Sequence, residues 1–284
     1  MEYSSEDIAA ARSLQFASYI YASMATFWVY DYACSLHGEW TFLLRSHWSK
    51  LKGLYVVTRY LPFIILTISL YLGFTPSGNS GRCRMFYSIN TCLCIVSVIC
   101  SECFFILRTY ALWNKNRILL VAMLSAFFIS LAASFCISFA TVAPAAYATS
   151  AVPGITGCYQ SSTSFHLFIP FLLLFAFELG LMTLTLIRAI QSWRINPTRL
   201  YVALVKHNIF YYTCGFLLSV TNIFASLFLQ YSYPALLYDF QFVMLAILAT
   251  RMHLHLWQMS QRAHNSGAIM YIPMSDMSPV TSTT

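Results

Sequence analysis

Two glutamates, Glu102 and Glu178, stand about ten residues from the ends of long apolar stretches, and a helical rise of about 1.5 Å per residue puts them near the middle of a bilayer. A carboxyl group at that depth can bind a polar ligand or relay a proton. The alternative is a protonated carboxyl group that is hydrogen-bonded to a neighbouring helix. Asp239, near the outer end of the last apolar stretch, is a third candidate for a pocket that opens outward.

Asp31 and Arg59 form a second candidate pair. Asp31 lies five residues from the inner end of the first apolar stretch and Arg59 lies six residues inside the second. Both therefore sit roughly 8–9 Å into the membrane from the same face. An unpaired charge there costs several kcal/mol, so we predict a structural ion pair between the two. The alternative is that each side chain reaches the interface separately.

Long membrane-spanning helices are needed to position these residues. The chain has 284 residues, of which 59% are hydrophobic and 9% charged, whereas a soluble domain carries about 25% charged residues. Seven apolar stretches are each long enough to cross the roughly 30 Å apolar core of a bilayer. They cover about 14–36, 53–74, 83–112, 118–142, 166–190, 208–230 and 235–257. The sequence therefore predicts an all-α membrane protein, a seven-transmembrane helix bundle.

The placement of lysine and arginine predicts the orientation of this bundle. The loops after the first, third and fifth spans and the C-terminal side, together with the adjoining span ends, hold twelve of them. The opposite side holds three: Arg12, Arg82 and Arg84. Because basic loops stay in the cytoplasm, we predict the N-terminus outside and the C-terminus in the cytoplasm. The predicted organisation is an extracellular tail at 1–13, the transmembrane domain at 14–257 and a disordered cytoplasmic tail at 258–284. The plasma membrane is favoured over internal membranes.

Cys83 and Cys158 are the two cysteines that fall in predicted outer loops. Outer loops meet an oxidising compartment, so we predict a disulfide bond that ties the third span to the loop before the fifth. The alternative is two free thiols. The other seven cysteines lie inside spans and are predicted to be small apolar packing residues.

The residue types do not favour an enzyme. A retinal pigment needs a lysine in the seventh span, but the last lysine is Lys206. His253 and His255 are two residues apart, so they point to different helix faces and are not predicted to share a metal. The basic residues are scattered rather than gathered into a nucleic-acid-binding patch. We therefore predict no enzyme activity, no cofactor, no metal and no nucleic-acid partner.

Residues 27–64 resemble the N-terminal signature of a fungal group of multi-pass membrane proteins, the domain-of-unknown-function family 6533. The similar residues are Val29-Tyr30-Asp31-Tyr32, Glu39, Trp48-Ser49-Lys50 and Arg59-Tyr60-Leu61-Pro62-Phe63. The stretch Leu107-Arg108-Thr109-Tyr110-Ala111-Leu112-Trp113 is also similar to that group. The resemblance implies a fungal integral membrane protein and no established reaction.

A weaker, overall resemblance is to the G-protein-coupled receptors. In many of those a cysteine begins the third helix and an acid-Arg-aromatic triplet ends it. Here Cys83 begins the third span and Arg108-Thr109-Tyr110 stands at its inner end, although Leu107 replaces the acid and the seventh span lacks the Asn-Pro-x-x-Tyr motif. The resemblance implies a cytoplasmic switch at Arg108 and Tyr110. Arg117 and Arg194, in basic inner loops, would supply a contact surface or simply anchor the topology.

The favoured function is that of a receptor-like membrane protein. It would bind a small-molecule ligand or partner in the outer half of the bundle and signal inward to a cytoplasmic signalling protein. The alternative is a small-molecule or proton-coupled transporter that uses Glu102 and Glu178, although seven spans do not divide into two equal inverted repeats. A non-signalling membrane scaffold is the third possibility. In each case the lipid bilayer is a partner.

Overall fold

The computed structural model describes residues 5–46, 48–74, 80–142, 147–149, 158–160, 168–195, 199–228 and 233–265. These residues form seven α-helices and one short antiparallel β-hairpin. The helices are α1 (Ser5–Arg45), α2 (Lys50–Phe74), α3 (Ser80–Leu112), α4 (Arg117–Val142), α5 (Phe168–Ile195), α6 (Arg199–Phe228) and α7 (Tyr233–Asn265). The strands are β1 (Tyr147–Thr149) and β2 (Cys158–Gln160), in which Thr149 pairs with Cys158.

The helices pack as a closed bundle in chain order. Each helix packs against the next, and α7 also packs against α1, which closes the ring. Helix α3 lies near the centre because it also contacts α5 and α7, and α7 additionally contacts α2. We call the end that carries the α1–α2 and α3–α4 turns the inner end. The opposite end, which carries the hairpin, is the outer end; both names follow the predicted orientation.

Apolar side chains cover much of the outside of the bundle. On α4, Ile118 is 81% exposed and Ile129 is 70% exposed. Within the described residues four helical stretches are long and apolar enough to cross a membrane: Lys50–Phe74, Gly81–Leu112, Arg117–Ile137 and Ile169–Gln191. An outward apolar surface of this kind suits lipid rather than water, so the chain is a multi-pass membrane protein. The crossing of all seven helices and the side on which each terminus lies stay predictions.

These apolar stretches are helical because the core of a membrane offers the backbone no water to bond to. A helix satisfies its own amide and carbonyl groups, and its hydroxyl side chains can do the same. Ser18 donates to the Leu14 carbonyl oxygen at 3.1 Å, and the buried Thr58 donates to that of Leu54 at 2.9 Å. Polar residues of this type therefore fit inside the spans without a partner on another helix.

A lysine fixes the turn between α1 and α2. The Lys52 ammonium group donates to the carbonyl oxygens of Leu43 and Ser46, both at 2.7 Å. Carbonyl groups at a helix C-terminus have no partner within the helix, and a basic side chain can satisfy them. Ser49 caps the start of α2 by accepting from the Lys52 backbone N–H at 3.3 Å. Lys52 thus ties the start of α2 to the end of α1.

The α3–α4 turn is closed by left-handed backbone and an asparagine cap. Asn114 and Lys115 have φ angles of 54° and 58°. The Lys115 N–H donates to the Tyr110 carbonyl oxygen at 3.1 Å, a bond that ends a helix. The Asn116 side-chain oxygen then accepts from the Ile118 N–H at 3.0 Å and starts α4. This turn holds Lys115 and Arg117 at the inner end.

Helices α1 and α7 extend beyond the spans predicted for them. α1 begins at Ser5 and ends at Arg45, so it takes up much of the predicted tail at 1–13 and part of a predicted loop. α7 ends at Asn265, so the prediction of a disordered tail from 258 is wrong for 258–265, while 266–284 lie outside the described residues. The cause is physical: apolar length measures the membrane core, and a helix can continue beyond it into the interface. The all-α prediction also missed the hairpin.

Candidate functional site

The structure brings the predicted pair Asp31 and Arg59 together in the inner half of the bundle. Arg59 Nη1 lies 2.7 Å from Asp31 Oδ2. Its Nε lies 3.1 Å from Glu39 Oε2, and its Nη2 donates to the Ser35 hydroxyl group. Arg59 and Glu39 are each 1% exposed and Asp31 is 6% exposed. The charges are therefore satisfied by one another rather than by water.

Helical spacing explains why α1 supplies three of these partners. Asp31, Ser35 and Glu39 are each four residues apart, so they lie on one face of the helix. The rings of Trp28 and Tyr32 lie 5.2 Å and 5.4 Å from the carbon at the centre of the bound guanidinium group. Aromatic faces attract a cation at this range. One face of α1 is thus built to hold a buried arginine from α2.

Arg251 on α7 completes this cluster. Its Nη2 lies 2.8 Å from Asp31 Oδ1, and its Nε donates to the same oxygen at 2.9 Å. The Arg251 side chain is 37% exposed, whereas that of Asp31 is 7% exposed. Two acids and two arginines therefore balance, and α7 is tied to α1 by charge. We call Asp31, Glu39, Arg59 and Arg251 the inner charge cluster.

Two members of the inner charge cluster were missed in the sequence. Glu39 falls between the predicted spans 14–36 and 53–74, although a helix continued past residue 36 would place it on the same face as Asp31, eight residues earlier. Arg251 is one of the twelve basic residues on the inner side, and the sequence gives it no other role. It lies 220 residues from Asp31 in the chain, and no local pattern indicates which helix it faces.

The structure also brings Glu102 and Glu178 into one region of the bundle. Glu102 on α3 is fully buried and Glu178 on α5 is 6% exposed, and the two interact electrostatically. Within the described part of the chain, neither carboxyl oxygen of Glu102 has a hydrogen-bond partner, and Glu178 Oε1 has none either. A buried carboxyl group in this state can take up a proton or a polar ligand.

A hydrogen-bonded chain links Glu178 to the two following helices. The Ser219 hydroxyl group on α6 donates to Glu178 Oε2 at 2.6 Å. Gln241 on α7 donates to that hydroxyl oxygen at 2.6 Å, and the Asn222 amide donates to Gln241 Oε1. Ser219 and Gln241 are fully buried. We call Glu178, Ser219, Asn222 and Gln241 the central polar network; it joins α5, α6 and α7.

A glycine on α6 leaves room beside Glu178. A Cβ atom at Gly215 would lie 3.6 Å from Glu178 Oε1 and 3.3 Å from a methyl carbon of Leu245 on α7. Glycine is unfavourable in the middle of a helix, so its presence here goes with the close approach of three helices. The unpartnered oxygen of Glu178 therefore faces a position that carries no side chain.

Asp239 lies near the outer end of α7, apart from the two central glutamates. Its Oδ2 accepts from the Tyr21 hydroxyl group at 2.6 Å, and its Oδ1 lies 3.8 Å from the Cys94 sulfur, which donates to it. These contacts join α7 to α1 and α3 nearer the outer end. The described contacts of Asp239 are with these residues rather than with the two central glutamates.

The predicted switch residues at the inner end of α3 are buried rather than exposed. Arg108 is 6% exposed and Tyr110 is 9% exposed. Arg108 interacts electrostatically with Tyr212 on α6 and with His253 on α7. Little of either predicted switch residue is therefore open to a protein partner. Arg117 is exposed, and the side chain of Arg194 lies outside the described residues.

Cys83 is buried at the outer end of α3 and takes part in a disulfide bond. The Cys158 side chain lies outside the described residues, so the identity of the partner stays a prediction. The backbone is consistent with Cys158: it lies in β2, β2 pairs with β1, and β1 packs against α3.

The fold and these sites define a multi-pass helical membrane protein with a charge cluster in its inner half and a polar network at its centre. The model of a family described as "Family of unknown function (DUF6533)" matches residues 19–64. This segment spans most of α1, the turn and much of α2, and it contains Asp31, Glu39 and Arg59. The match supports the resemblance seen in the sequence, and the description names no activity. No curated protein matches the chain.

Proposed function

We propose that this protein is a receptor-like seven-helix membrane protein of the plasma membrane, with its N-terminus outside. It binds a ligand or partner in the outer half of the bundle and signals inward to a cytoplasmic protein, and it catalyses no reaction. The observation that carries the proposal is the central polar network, which ties α5, α6 and α7 through buried hydrogen bonds beside Glu102 of α3. A ligand that changes one of these bonds shifts the helices relative to one another.

The inner half offers a route for such a shift. Tyr212 of α6 donates to the Phe105 carbonyl oxygen of α3 at 2.8 Å, and its hydroxyl oxygen lies 3.0 Å from that of Thr109. Arg188 of α5 donates to the Leu112 carbonyl oxygen at 3.0 Å. Movement of α5 or α6 therefore bears directly on the end of α3 and on the basic turn that follows it.

The test uses the purified protein in nanodiscs. The midpoint of thermal unfolding is measured against a panel of small molecules, with and without a Gα subunit. A receptor is expected to be stabilised by a ligand, and to bind that ligand more tightly when the Gα subunit is present, because linkage is reciprocal. A protein that no ligand stabilises, or whose ligand affinity ignores every cytoplasmic partner tried, argues against the proposal.

A matched variant separates ligand binding from coupling. Lys115 and Arg117 are exposed on the inner turn. The double variant Lys115→Gln, Arg117→Gln should keep the stabilisation by ligand and lose the effect of the Gα subunit. Loss of both would indicate damage to the fold instead.

The second candidate function is proton-coupled transport, which the unpartnered oxygens of Glu102 favour. In that case the stabilisation by ligand should shift with pH and disappear in Glu102→Gln, with no effect of a Gα subunit. A ligand response that is unchanged in Glu102→Gln excludes this mechanism and leaves the receptor proposal standing.

A further inference from the structure

The turn between α1 and α2 presents two basic and three large apolar side chains outward. Arg45 and Lys50 are exposed. Trp40 is 62% exposed, Leu44 is 68% exposed and Trp48 is 80% exposed. Trp40 and Leu44 are four residues apart on α1 and share one face. We call these five residues the α1–α2 tip.

The α1–α2 tip is held in place from inside. The ammonium group of Lys52 bonds to two carbonyl oxygens at the end of α1 and lies 4.9 Å from the centre of the Trp48 ring. A cation at that distance attracts an aromatic face, so it helps to orient Trp48. Lys52 therefore ties Trp48 and the end of α1 to the start of α2.

The local charge of the tip is positive. The chain has no Asp or Glu between Glu39 and Glu102. Glu39 itself is 1% exposed and bonded to Arg59, so it does not offset the two exposed basic groups. An exposed surface with basic and aromatic groups, at the end of a membrane helix, matches the boundary between lipid chains and headgroups.

We propose that the α1–α2 tip binds the headgroup of an anionic phospholipid. Arg45 and Lys50 contact its negatively charged groups, while Trp40, Leu44 and Trp48 pack against its glycerol and upper acyl chain. Anionic lipids attract basic residues near the membrane surface by about 1 kcal/mol per charge, which corresponds to about a fivefold change in affinity. This inference does not depend on the receptor role.

The experiment compares lipid retention by the whole protein. Protein reconstituted in nanodiscs of phosphatidylcholine with a fifth of phosphatidylserine is released into the gas phase, and bound lipids are counted by native mass spectrometry. Wild type should retain phosphatidylserine over phosphatidylcholine beyond their ratio in the disc. The double variant Arg45→Gln, Lys50→Gln should lose this preference by about 25-fold, two factors of five.

The control removes the same charge from another inner turn. Lys115→Gln with Arg117→Gln also deletes two exposed basic groups, and it should keep the preference for phosphatidylserine. Equal losses in both double variants, or no preference in wild type, overturn the proposal, because binding is then diffuse or absent. Full competition by soluble glycerophosphoserine would overturn it too, since the site would then take a free anion rather than a lipid.

Trp48 supplies a second readout. Trp48→Ala removes apolar contact and leaves both charges, so it should weaken retention of phosphatidylserine without abolishing the preference. Retention unchanged in Trp48→Ala would show that the apolar half of the tip does not contact the lipid. Displacement of phosphatidylserine by a cytoplasmic protein that binds Arg45 and Lys50 would likewise contradict a lipid partner.

Discussion

Arg59 binds two carboxylates and a hydroxyl group in a space closed to water. Removing one member of a buried ion pair leaves the other charged and unsatisfied, which costs about 3–5 kcal/mol. We therefore expect Arg59→Gln to lower the free energy of unfolding by about that amount, seen as a lower midpoint of thermal unfolding in detergent. Arg117→Gln is the control, because exposed substitutions change stability by no more than about 0.5 kcal/mol.

Exchanging the charges of Asp31 and Arg59 should not restore stability. The arginine introduced at position 31 would face Arg251, and the aspartate introduced at position 59 would face Glu39. Like charges at these distances repel. The double variant Asp31→Arg, Arg59→Asp is therefore expected to express no better than Asp31→Arg or Arg59→Asp alone. The measurement is the fluorescence-detected yield of monodisperse protein. Full recovery would mean that Asp31 and Arg59 act as an isolated pair.

Two substitutions at the centre of the bundle are expected to have opposite effects on stability. Ser219→Ala removes the group that bonds both Glu178 and Gln241, and a buried polar group left unpaired costs about 1–3 kcal/mol. Glu102→Gln removes an ionisable group that has no described partner, so it should leave stability unchanged or raise it. Thermal unfolding of both variants checks this contrast. A large loss in Glu102→Gln would reveal a partner of that carboxyl group.

The sequence predicts how deep a residue lies in the membrane, but it does not predict which neighbouring helix its side chain faces. Counting residues along each apolar stretch put Asp31 and Arg59 at one level, and the structure joins them. The same counting gave Glu102 and Glu178 one level, and they interact. The sequence indicates no partner for Asp239 or Arg251, because which neighbour a helix face meets depends on how the helices pack against one another.

At the scale of elements, α3 and the β1–β2 hairpin predict a disulfide test. A bond from Cys83 to Cys158 would close a loop of 75 residues, and a disulfide bond typically stabilises a protein by about 2–4 kcal/mol. Peptide mapping without reductant should recover the two cysteines in one linked peptide. Cys83→Ser and Cys158→Ser should each lower the unfolding midpoint, and the double variant should lower it no further. Linkage of Cys83 to another cysteine would contradict the pairing.

Helix ends were predicted less well than helices. The seventh span was predicted to end at Trp257, but α7 continues to Asn265 because no proline or glycine interrupts those residues. The turn at Lys52 depends on a side chain that reaches back to the preceding helix, and such a contact leaves no periodic pattern. The β-hairpin is only three residues per strand, too short to alternate visibly.

For the whole molecule, the distribution of twelve basic residues against three predicts the orientation. An epitope tag at the N-terminus should be reached by antibody on intact cells, and a tag at the C-terminus only after the membrane is permeabilised. An even number of crossings would place both tags on one side. Access to the C-terminal tag alone would reverse the orientation.

The inner charge cluster also bears on how the protein is made. Synthesis runs from the N-terminus, so Asp31, Glu39 and Arg59 enter the membrane with the first two helices, and together they carry one net negative charge. Arg251 brings the sum to zero, but it is translated 220 residues after Asp31. A nascent chain therefore holds one excess negative charge near Asp31 until its last helix arrives. Insertion of α7 is the step that neutralises it, and a chain cut short before Arg251 keeps that defect permanently.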